Sequence, residues 1–397
     1  MDVFAKIDEL RGGSMVFGTE RTRQLLDSLG SPDDHLKIVH IAGTNGKGSI
    51  AAYITGILVA ADKKTGTFTS PAVMDYFEQF KIDGKPIERD LLSRYFSVAY
   101  ENGKDCTAFE VQTAGALYAF AREGCEYAVV ECGLGGLTDS TNAIRHKELA
   151  VISSIGLEHT AILGDTIAKI CAQKAGIIKD CPAVVNALQP QEAREFFAGK
   201  GVIFADKRLE VLESTLQCQR FVYDGDEYEI GMIGPAQVYN AATAIEAAKV
   251  LGLPQNAIRG GISSAKLPGR VQILCANGNT YIVDGAHNPA SFAPLVSVLK
   301  GIGKRDATLI FGCLSDKDIG GDLKALNGFF TRVIAVQPKS VRAMELQKIA
   351  SAAERYFKSV EVAESVSEAL NKCNGTVVVC GSFTLVKEAV NWIEKES

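Results

Sequence analysis

Short apolar runs alternate with stretches of helical spacing along most of the chain, a pattern that predicts α/β units around a mainly parallel sheet. The runs 38–42, 127–131, 149–153, 183–186 and 202–205 read as strands of a first sheet. After the first of them, Ile50, Ile54, Ile57, Leu58 and Ala61 recur at i, i+4, i+7, i+8 and i+11, which predicts an amphipathic helix packed on that sheet. Over 220–234 short alternating runs flank Asp224-Gly225, a two-residue hairpin signal, and predict an antiparallel appendage to the first domain. An alanine-rich helix is expected over 239–251. Pro268 and Gly269 in the loop 266–270 then break the pattern and suggest a domain boundary. Beyond Arg270 a second α/β set begins, with strands expected at 281–283, 308–311, 333–336 and 376–379 and helices at 343–356 and 383–395. The expected division is a central domain over 1–269 and a smaller Rossmann-like α/β domain over 270–397, with no internal repeat and no low-complexity segment.

Composition narrows the class. A chain of 397 residues suits two or three domains rather than one core. Its net charge of −5 lacks the excess of Lys and Arg that a nucleic-acid binder carries. The 10 cysteines include no C-x-x-C pair, so neither a zinc ribbon nor a thioredoxin-type site is indicated, and reduced structural thiols are expected. Charges at Asp2, Lys6, Asp8, Glu9 and Arg11 exclude the apolar core of a signal peptide. The longer uncharged runs, 48–61 and 231–245, fall short of the roughly 18–20 apolar residues that span a bilayer. A cytoplasmic protein without membrane or nucleic-acid partners is the expectation.

The candidate chemistry begins at Gly43-Thr44-Asn45-Gly46-Lys47-Gly48-Ser49, between the 38–42 strand and the helix that follows. Glycines let backbone N–H groups converge on a phosphate, the helix N-terminus adds partial positive charge, and Lys47 adds a full one. A nucleoside triphosphate is the expected ligand. The spacing is not the ordinary Walker A pattern, which needs glycine where Ile41 stands and a hydroxyl residue directly after the lysine. Here Gly48 intervenes and the hydroxyl comes from Ser49.

Glu131 closes the 127–131 strand and opens Gly133-Leu134-Gly135-Gly136, which places its carboxylate at the carboxyl edge of the sheet, a metal position. A helix-capping or surface glutamate is the structural alternative. His159 follows another strand-like run, where a satisfied core histidine is the alternative to a ligand. Lys174 lies among apolar neighbours in a helical run, where an ammonium is costly unless paired; the alternative is a lysine that snorkels to the surface.

The order of motifs over most of the chain resembles the folylpolyglutamate synthase/dihydrofolate synthase family of Mur-type ATP-dependent amide ligases. The resemblance is carried by Gly18-Thr19-Glu20-Arg21, the loop 43–49, Thr69-Ser70-Pro71, Phe109-Glu110, Glu131 with its glycines, Asp139-Ser140-Thr141-Asn142 and His159. It continues through Lys174-Ala175-Gly176, Gln237 with Asn240, Pro268-Gly269-Arg270, Asp284-Gly285-Ala286-His287-Asn288-Pro289 and Asp316-Lys317-Asp318.

That resemblance implies a P-loop-containing central domain of Mur-ligase type and a C-terminal glutamate-ligase domain. It implies two magnesium ions held by Ser49, Ser70, Glu131, His159 and a carbamylated Lys174, whose carbamate would act as a carboxylate-like oxygen ligand for a hard cation. ATP would be bound by the loop residues Gly43, Thr44, Asn45, Gly46, Lys47, Gly48 and Ser49, completed by Asn240, Arg270, Asp284 and His287. Lys47, His159, Lys174 and His287 would serve catalysis. Phe109, Glu110, Asp139, Thr141 and Asn142, with the loop 18–21, would border the pterin. The chain departs from the family's pattern at Ala72, Leu137, Glu158, Gln173 and Ala236, where histidine, arginine, aspartate, glutamate and histidine are usual.

The implied reaction is ATP-dependent addition of L-glutamate to dihydropteroate or a reduced folate through an acyl phosphate, in folate biosynthesis and one-carbon metabolism, by a monomer. Two rivals remain at this point. One is a Mur-type ligase for another carboxylate and amino acid; the peptidoglycan enzymes carry an extra N-terminal domain of about 100 residues, which disfavours that branch. The other is a non-catalytic nucleotide-binding protein, against which Lys47, Ser49, Glu131, His159 and Lys174 stand together.

Overall fold

The computed structural model describes residues 2–10, 16–287, 291–301 and 307–396. Arg11 of the charged N-terminal stretch and Asn288 and Pro289 of the Asp284 motif lie outside the described residues.

The first sheet has eight strands, β1 (Lys37–Ala42), β2 (Thr65–Phe68), β3 (Phe80–Ile82), β4 (Lys85–Pro86), β5 (Tyr127–Glu131), β6 (Leu149–Ile152), β7 (Ala183–Asn186) and β8 (Ile203–Ala205). Their order is β4-β3-β2-β5-β1-β6-β7-β8, parallel except for β3 and β4 at one edge. Strand β1 runs between β5 and β6 and is buried after its first residue, which is why its apolar run is continuous rather than alternating. The chain moves to one side of β1 for β2 and to the other for β6, so the carboxyl ends of β1, β5 and β6 enclose the crevice where α/β sheets take ligands. Strands β2 to β4 lacked a sequence signal: Thr65-Gly66-Thr67-Phe68 is short and half polar, and Gly66 is required because a Cβ there would lie 2.3 Å from the Phe120 ring.

The helix after the glycine loop, Lys47–Ala60, corrects the amphipathic reading. It is buried on nearly all sides, with Ala51, Tyr53 and Thr55 as enclosed as Ile50 and Ile54. The sheet covers one side, and the helices Pro235–Val250 and Gln255–Ser264 cover the rest. Gly56 and Gly261 make this possible by backbone contact: a Cβ on Gly261 would lie 2.3 Å from the Ile57 Cα.

The appendage is a separate sheet of β9 (Leu209–Ser214), β10 (Gln219–Tyr223) and β11 (Asp226–Ile230), in the order β11-β10-β9. Asp224 and Gly225 both take positive φ, 56° and 88°, as a type I′ hairpin demands. Phe221, Tyr223, Tyr228 and Ile230 from this sheet join the same core as the Lys47–Ala60 and Pro235–Val250 helices.

The last sheet comprises β12 (Gln272–Ala276), β13 (Asn279–Val283), β14 (Ala307–Phe311), β15 (Phe330–Val336), β16 (Ser359–Ala363) and β17 (Thr376–Cys380). Its order is β12-β13-β17-β14-β15-β16, with only β12 antiparallel to its neighbour. The helix expected over 343–356 is shorter, Leu346–Ala353, and the final one is Phe383–Glu396. No described helix is long and apolar enough to cross a membrane.

The Gly56–Gly261 contact makes a stability prediction. Gly261→Ala should lower stability by about 1–3 kcal/mol through overpacking, read as a lower urea midpoint at unchanged m value. A midpoint equal to the wild type would refute the close approach.

Candidate active site

The loop after β1 is shaped by two glycines at φ values that side chains rarely adopt. Gly43 stands at 150°, where a Cβ would collide with Ser153, and Gly46 stands at 90°, capping the Lys47–Ala60 helix against Asn240. The loop is pinned from the β6 side: Thr44 and Asn45 donate their N–H groups to the Ser154 carbonyl at 2.8 and 3.3 Å. Lys47 folds back, donating Nζ to the Gly43 and Thr44 carbonyls at 3.1 and 3.2 Å, with the Glu131 carboxylate 3.8 Å away. Its ammonium is thereby held at the mouth of the loop with Glu131 as a loose ion-pair partner.

Glu131 ends β5 and is buried. Burial pushes its carboxyl above the usual range, while Lys47, the Ser70 backbone N–H and Arg270 pull it back. Ser49 is fixed by a chain of amides: Gln237 Nε2 donates to Ser49 Oγ at 3.1 Å, Asn240 Nδ2 to Gln237 Oε1 at 3.3 Å, and Asn186 Nδ2 to Asn240 Oδ1 at 3.2 Å. Ser70 precedes a cis proline, Pro71.

Lys174 stands in the last turn of the helix Ile167–Ala175 and is 2% exposed. Its Nζ donates to the Gly43 carbonyl at 2.6 Å, so Lys47 and Lys174 share one acceptor. Burial first, and then the neighbouring Lys47 charge, push its pKa down to about 8. The snorkelling alternative is thereby excluded. His159 takes positive φ, 48°, at the start of the short helix Thr160–Leu163, is half exposed, and has its ring 3.8 Å from the Glu158 carboxylate. Among the described residues no hydrogen bond or ion pair joins His159 to Glu131, Ser49, Ser70 or Lys174, and no three His, Cys, Asp or Glu side chains cluster as a metal site. A satisfied core histidine is equally ruled out.

On the other side of the 266–270 loop, Asp284 accepts the Val271 N–H on Oδ2 at 2.7 Å and the Ala286 N–H on Oδ1 at 2.8 Å. Burial raises its carboxyl, and Arg270 opposes the rise. Val271 adopts φ 46°, costly for a β-branched residue, and the Asp284 bond holds it there. His287 places Nδ1 2.8 Å from the Gly285 carbonyl, which fixes the Nδ1–H tautomer and leaves Nε2 as the acceptor. Burial lowers its pKa. Phe383 supports both groups, packing edge-on to the His287 ring at 5.0 Å and beneath the Arg270 guanidinium at 5.6 Å. Sequence reasoning gave Phe383 no role; an aromatic residue opening a helix carries no signal of its own.

Beside Ser70 opens a cleft of ≈ 730 Å³ lined by Val16, Phe17, Tyr76, Phe109, Asp139 and Lys387 among others. Phe109 and Asp139 are thus at its wall, and Gly133 is required there because a Cβ would lie 2.5 Å from the Phe109 ring. Glu110, Thr141 and Asn142, expected to border the pterin, are not among the residues that line this cleft. Glu110 closes a capping box with Thr107 and takes the Arg21 guanidinium at 2.7 Å, so its oxygens are spent inside the wall. Thr141 meets His40 Nε2 at 2.8 Å and Asp139 Oδ1 at 2.5 Å. Asn142 donates to the Leu137 and Gly176 carbonyls at 3.0 and 3.1 Å and accepts Lys147 at 2.6 Å, tying the cleft wall to the end of the Lys174 helix.

Residues 41–248 match the Mur ligase middle domain and residues 269–383 the Mur ligase glutamate ligase domain. A dihydrofolate synthase/folylpolyglutamate synthase of Escherichia coli is 31% identical, over 98% of this chain and 94% of that protein. A probable bifunctional folylpolyglutamate synthase/dihydropteroate synthase of Haloferax volcanii is also 31% identical, but the chain spans only 49% of its length. The crystal structure of a folylpolyglutamate synthase from Thermotoga maritima superposes with a TM-score of 0.90 at 31% identity, covering 100% of this chain and 97% of that one. A bifunctional folylpolyglutamate synthase/dihydrofolate synthase solved with Mn, AMPPNP and L-glutamate gives a TM-score of 0.81 at 28% identity, over 99% and 98% of the two chains. With the loop of Lys47, the buried Glu131 and the adjoining cleft already in place, these likenesses settle the family: the chain belongs to the folylpolyglutamate synthase/dihydrofolate synthases, ATP-dependent glutamate ligases of the Mur ligase superfamily.

Proposed function

We propose that this protein joins L-glutamate to dihydropteroate, a reduced folate, or both, through an acyl phosphate formed at the loop 43–49. The observation that carries the reading is the Lys47 ammonium held 3.8 Å from the buried Glu131 beside a cleft that Phe109 and Asp139 line. The substrate carboxylate attacks the γ-phosphate of ATP and releases ADP, and the amine of glutamate then attacks the acyl carbon, loses a proton and expels phosphate. The loop amides and Lys47 bind the phosphates, with Asn240, Arg270, Asp284 and His287 completing the nucleotide site. Arg270 and His287, backed by Phe383, meet the phosphates as the two domains, 1–269 and 270–397, close and exclude water. His287 Nε2, unprotonated in this tautomer, is available as an acceptor near the reacting groups.

The donor chemistry fits magnesium: Glu131 is a buried carboxylate with no cation among the described residues closer than 3.8 Å, and Ser49 and Ser70 add hydroxyl oxygens. Two ions, when bound, would offset charge on the transferring phosphoryl group. Ser49, Ser70, Glu131 and His159 would hold them with Lys174 as its carbamate; His159 would have to turn inward from its exposed position. A pKa of about 8 favours carbamylation, because roughly a tenth of Lys174 is neutral amine at pH 7, against under a thousandth for an ordinary lysine. We further read the protein as a cytoplasmic monomer, by analogy with the bacterial relatives.

Three outcomes test this reading. Lys47→Ala should lower turnover about 100-fold or more while leaving the thermal midpoint in place, since its bonds are to loop carbonyls rather than to the core; near-normal activity would remove the phosphate-loop assignment. Lys174→Ala should be inactive and partly regained with short carboxylic acids. In the wild type stripped of CO2, activity should recover about fivefold faster at pH 8 than at pH 7 for the same dissolved CO2, because the neutral amine is the reacting form and its fraction rises through the pKa. A pH-independent recovery, or mass spectrometry showing only the free amine in active protein, would count against the carbamate. Arg270→Ala and His287→Ala should each cut kcat about 10-fold to 100-fold with folding intact, measured as phosphate release with dihydropteroate and glutamate; unchanged kcat would dismiss the two-domain site.

A further inference from the structure

The ≈ 730 Å³ cleft is walled by the first domain except where Lys387 enters from the Phe383–Glu396 helix of the second. Lys387 is the one cation among the described residues that line it; the charged groups with it are Asp75 and Asp139. Asp139 is committed to its own loop, accepting the Leu134 N–H on Oδ2 at 2.7 Å and the Thr141 N–H on Oδ1 at 3.0 Å. Asp75 is the group that faces Lys387: its Oδ2 accepts Lys387 Nζ at 3.3 Å, while Oδ1 caps the Phe77 N–H at 3.0 Å. These side chains are 45% and 55% exposed, so water and salt weaken the pair and an incoming anion can replace Asp75 at little cost. The rest of the loop beside Asp75, Pro71 to Met74, is uncharged. That loop and the helix meet at the domain boundary, where Val73 and Val386 both approach Gly269.

Dihydropteroate carries one carboxylate, which must go to the phosphate site. A folate that already bears glutamate brings further α-carboxylates, and each needs a cation or water. The geometry points to Lys387 as the group that recognises the α-carboxylate of a glutamylated acceptor, with Asp75 as the partner it leaves when that acceptor enters. The inference rests on the ligase reading above and deepens it: the acceptor preferred at this cleft is one that already carries glutamate. Because Lys387 and the loop 71–75 belong to different domains, the tail contact also joins the two halves while the acceptor is bound.

The test is steady-state kinetics of the full chain with ATP and L-glutamate, using dihydropteroate or tetrahydrofolate triglutamate as acceptor. The readout is the ratio of the two KM values. Lys387→Ala should raise that ratio, triglutamate over dihydropteroate, about tenfold with kcat largely kept, and Lys387→Arg should restore it. Asp75→Asn, which keeps the Phe77 cap, should lower the ratio about threefold by releasing Lys387. A ratio within about twofold of wild type in Lys387→Ala, or an equal loss of kcat for both acceptors, would overturn the assignment and leave Lys387 as a strut between domains. Wild-type turnover of dihydropteroate but of no glutamylated acceptor would also overturn it with the ligase reading intact. Turnover of neither acceptor would instead sink the ligase reading.

Discussion

Two ammonium groups converge on the Gly43 carbonyl, and the site is organised around that excess of positive charge. Lys47 and Lys174 come from different helices and are largely enclosed, with Glu131 at 3.8 Å from Lys47 and with Glu158 and the buried Asp139 acting on Lys174 at longer range. A buried cation without a matched anion costs several kcal/mol, so the protein has stored an unmet demand for negative charge at the carboxyl end of β1. Phosphate oxygens bound at the loop would meet it from one side, and the carbamylation proposed for Lys174 would meet it from the other, by turning one of the two cations into an anion. The same demand gives Glu131 its character, since burial raises its carboxyl while the Lys47 and Arg270 charges oppose the rise.

The backbone serves this arrangement at some cost. Gly43 and Gly46 take φ values of 150° and 90° so that the loop can turn within reach of Ser153 and Asn240. Val271 takes φ 46° without glycine's freedom, one residue after Arg270, and the Asp284 carboxylate holds it there. Strain of this kind persists where the surrounding structure over-determines it. Here it orients the strand end that carries Asp284 and His287 relative to the loop that links the domains.

Much of this was legible in the sequence, and the gaps have physical reasons. Strand-end placement found Glu131, and the cost of a buried ammonium flagged Lys174, because each argument depends only on near neighbours in sequence. Strands β12 and β16 were missed for different reasons: β12 carries an apolar run, Ile273 to Ala276, but follows directly on the 266–270 break and is only partly buried, whereas Glu361 interrupts the apolar positions of β16. Glu110, expected beside the pterin, also closes a capping box with Thr107 three residues before it, a local signal that a motif reading passes over. The amphipathic reading of the Lys47–Ala60 helix failed because periodicity marks the face turned to the sheet but cannot reveal helices covering the other side. Lys387 and Asp75 are 312 residues apart, and Phe383 reaches Arg270 and His287 because β17 pairs with β13, from which β14, β15 and β16 separate it in sequence; no spacing rule reaches that far.

The contact between Gly56 and Gly261 carries a consequence for motion. Backbones that touch leave no lubricating layer of side chains, so the phosphate-loop helix cannot slide or roll against the Gln255–Ser264 helix behind it. The proposed closure of the two domains would therefore be taken up at the 266–271 segment and not between these two helices. In the proposed reaction the nucleotide would meet a helix already locked in place, and the entropy of assembling the reactive state would fall mainly on the approach of Arg270 and His287 from the other half.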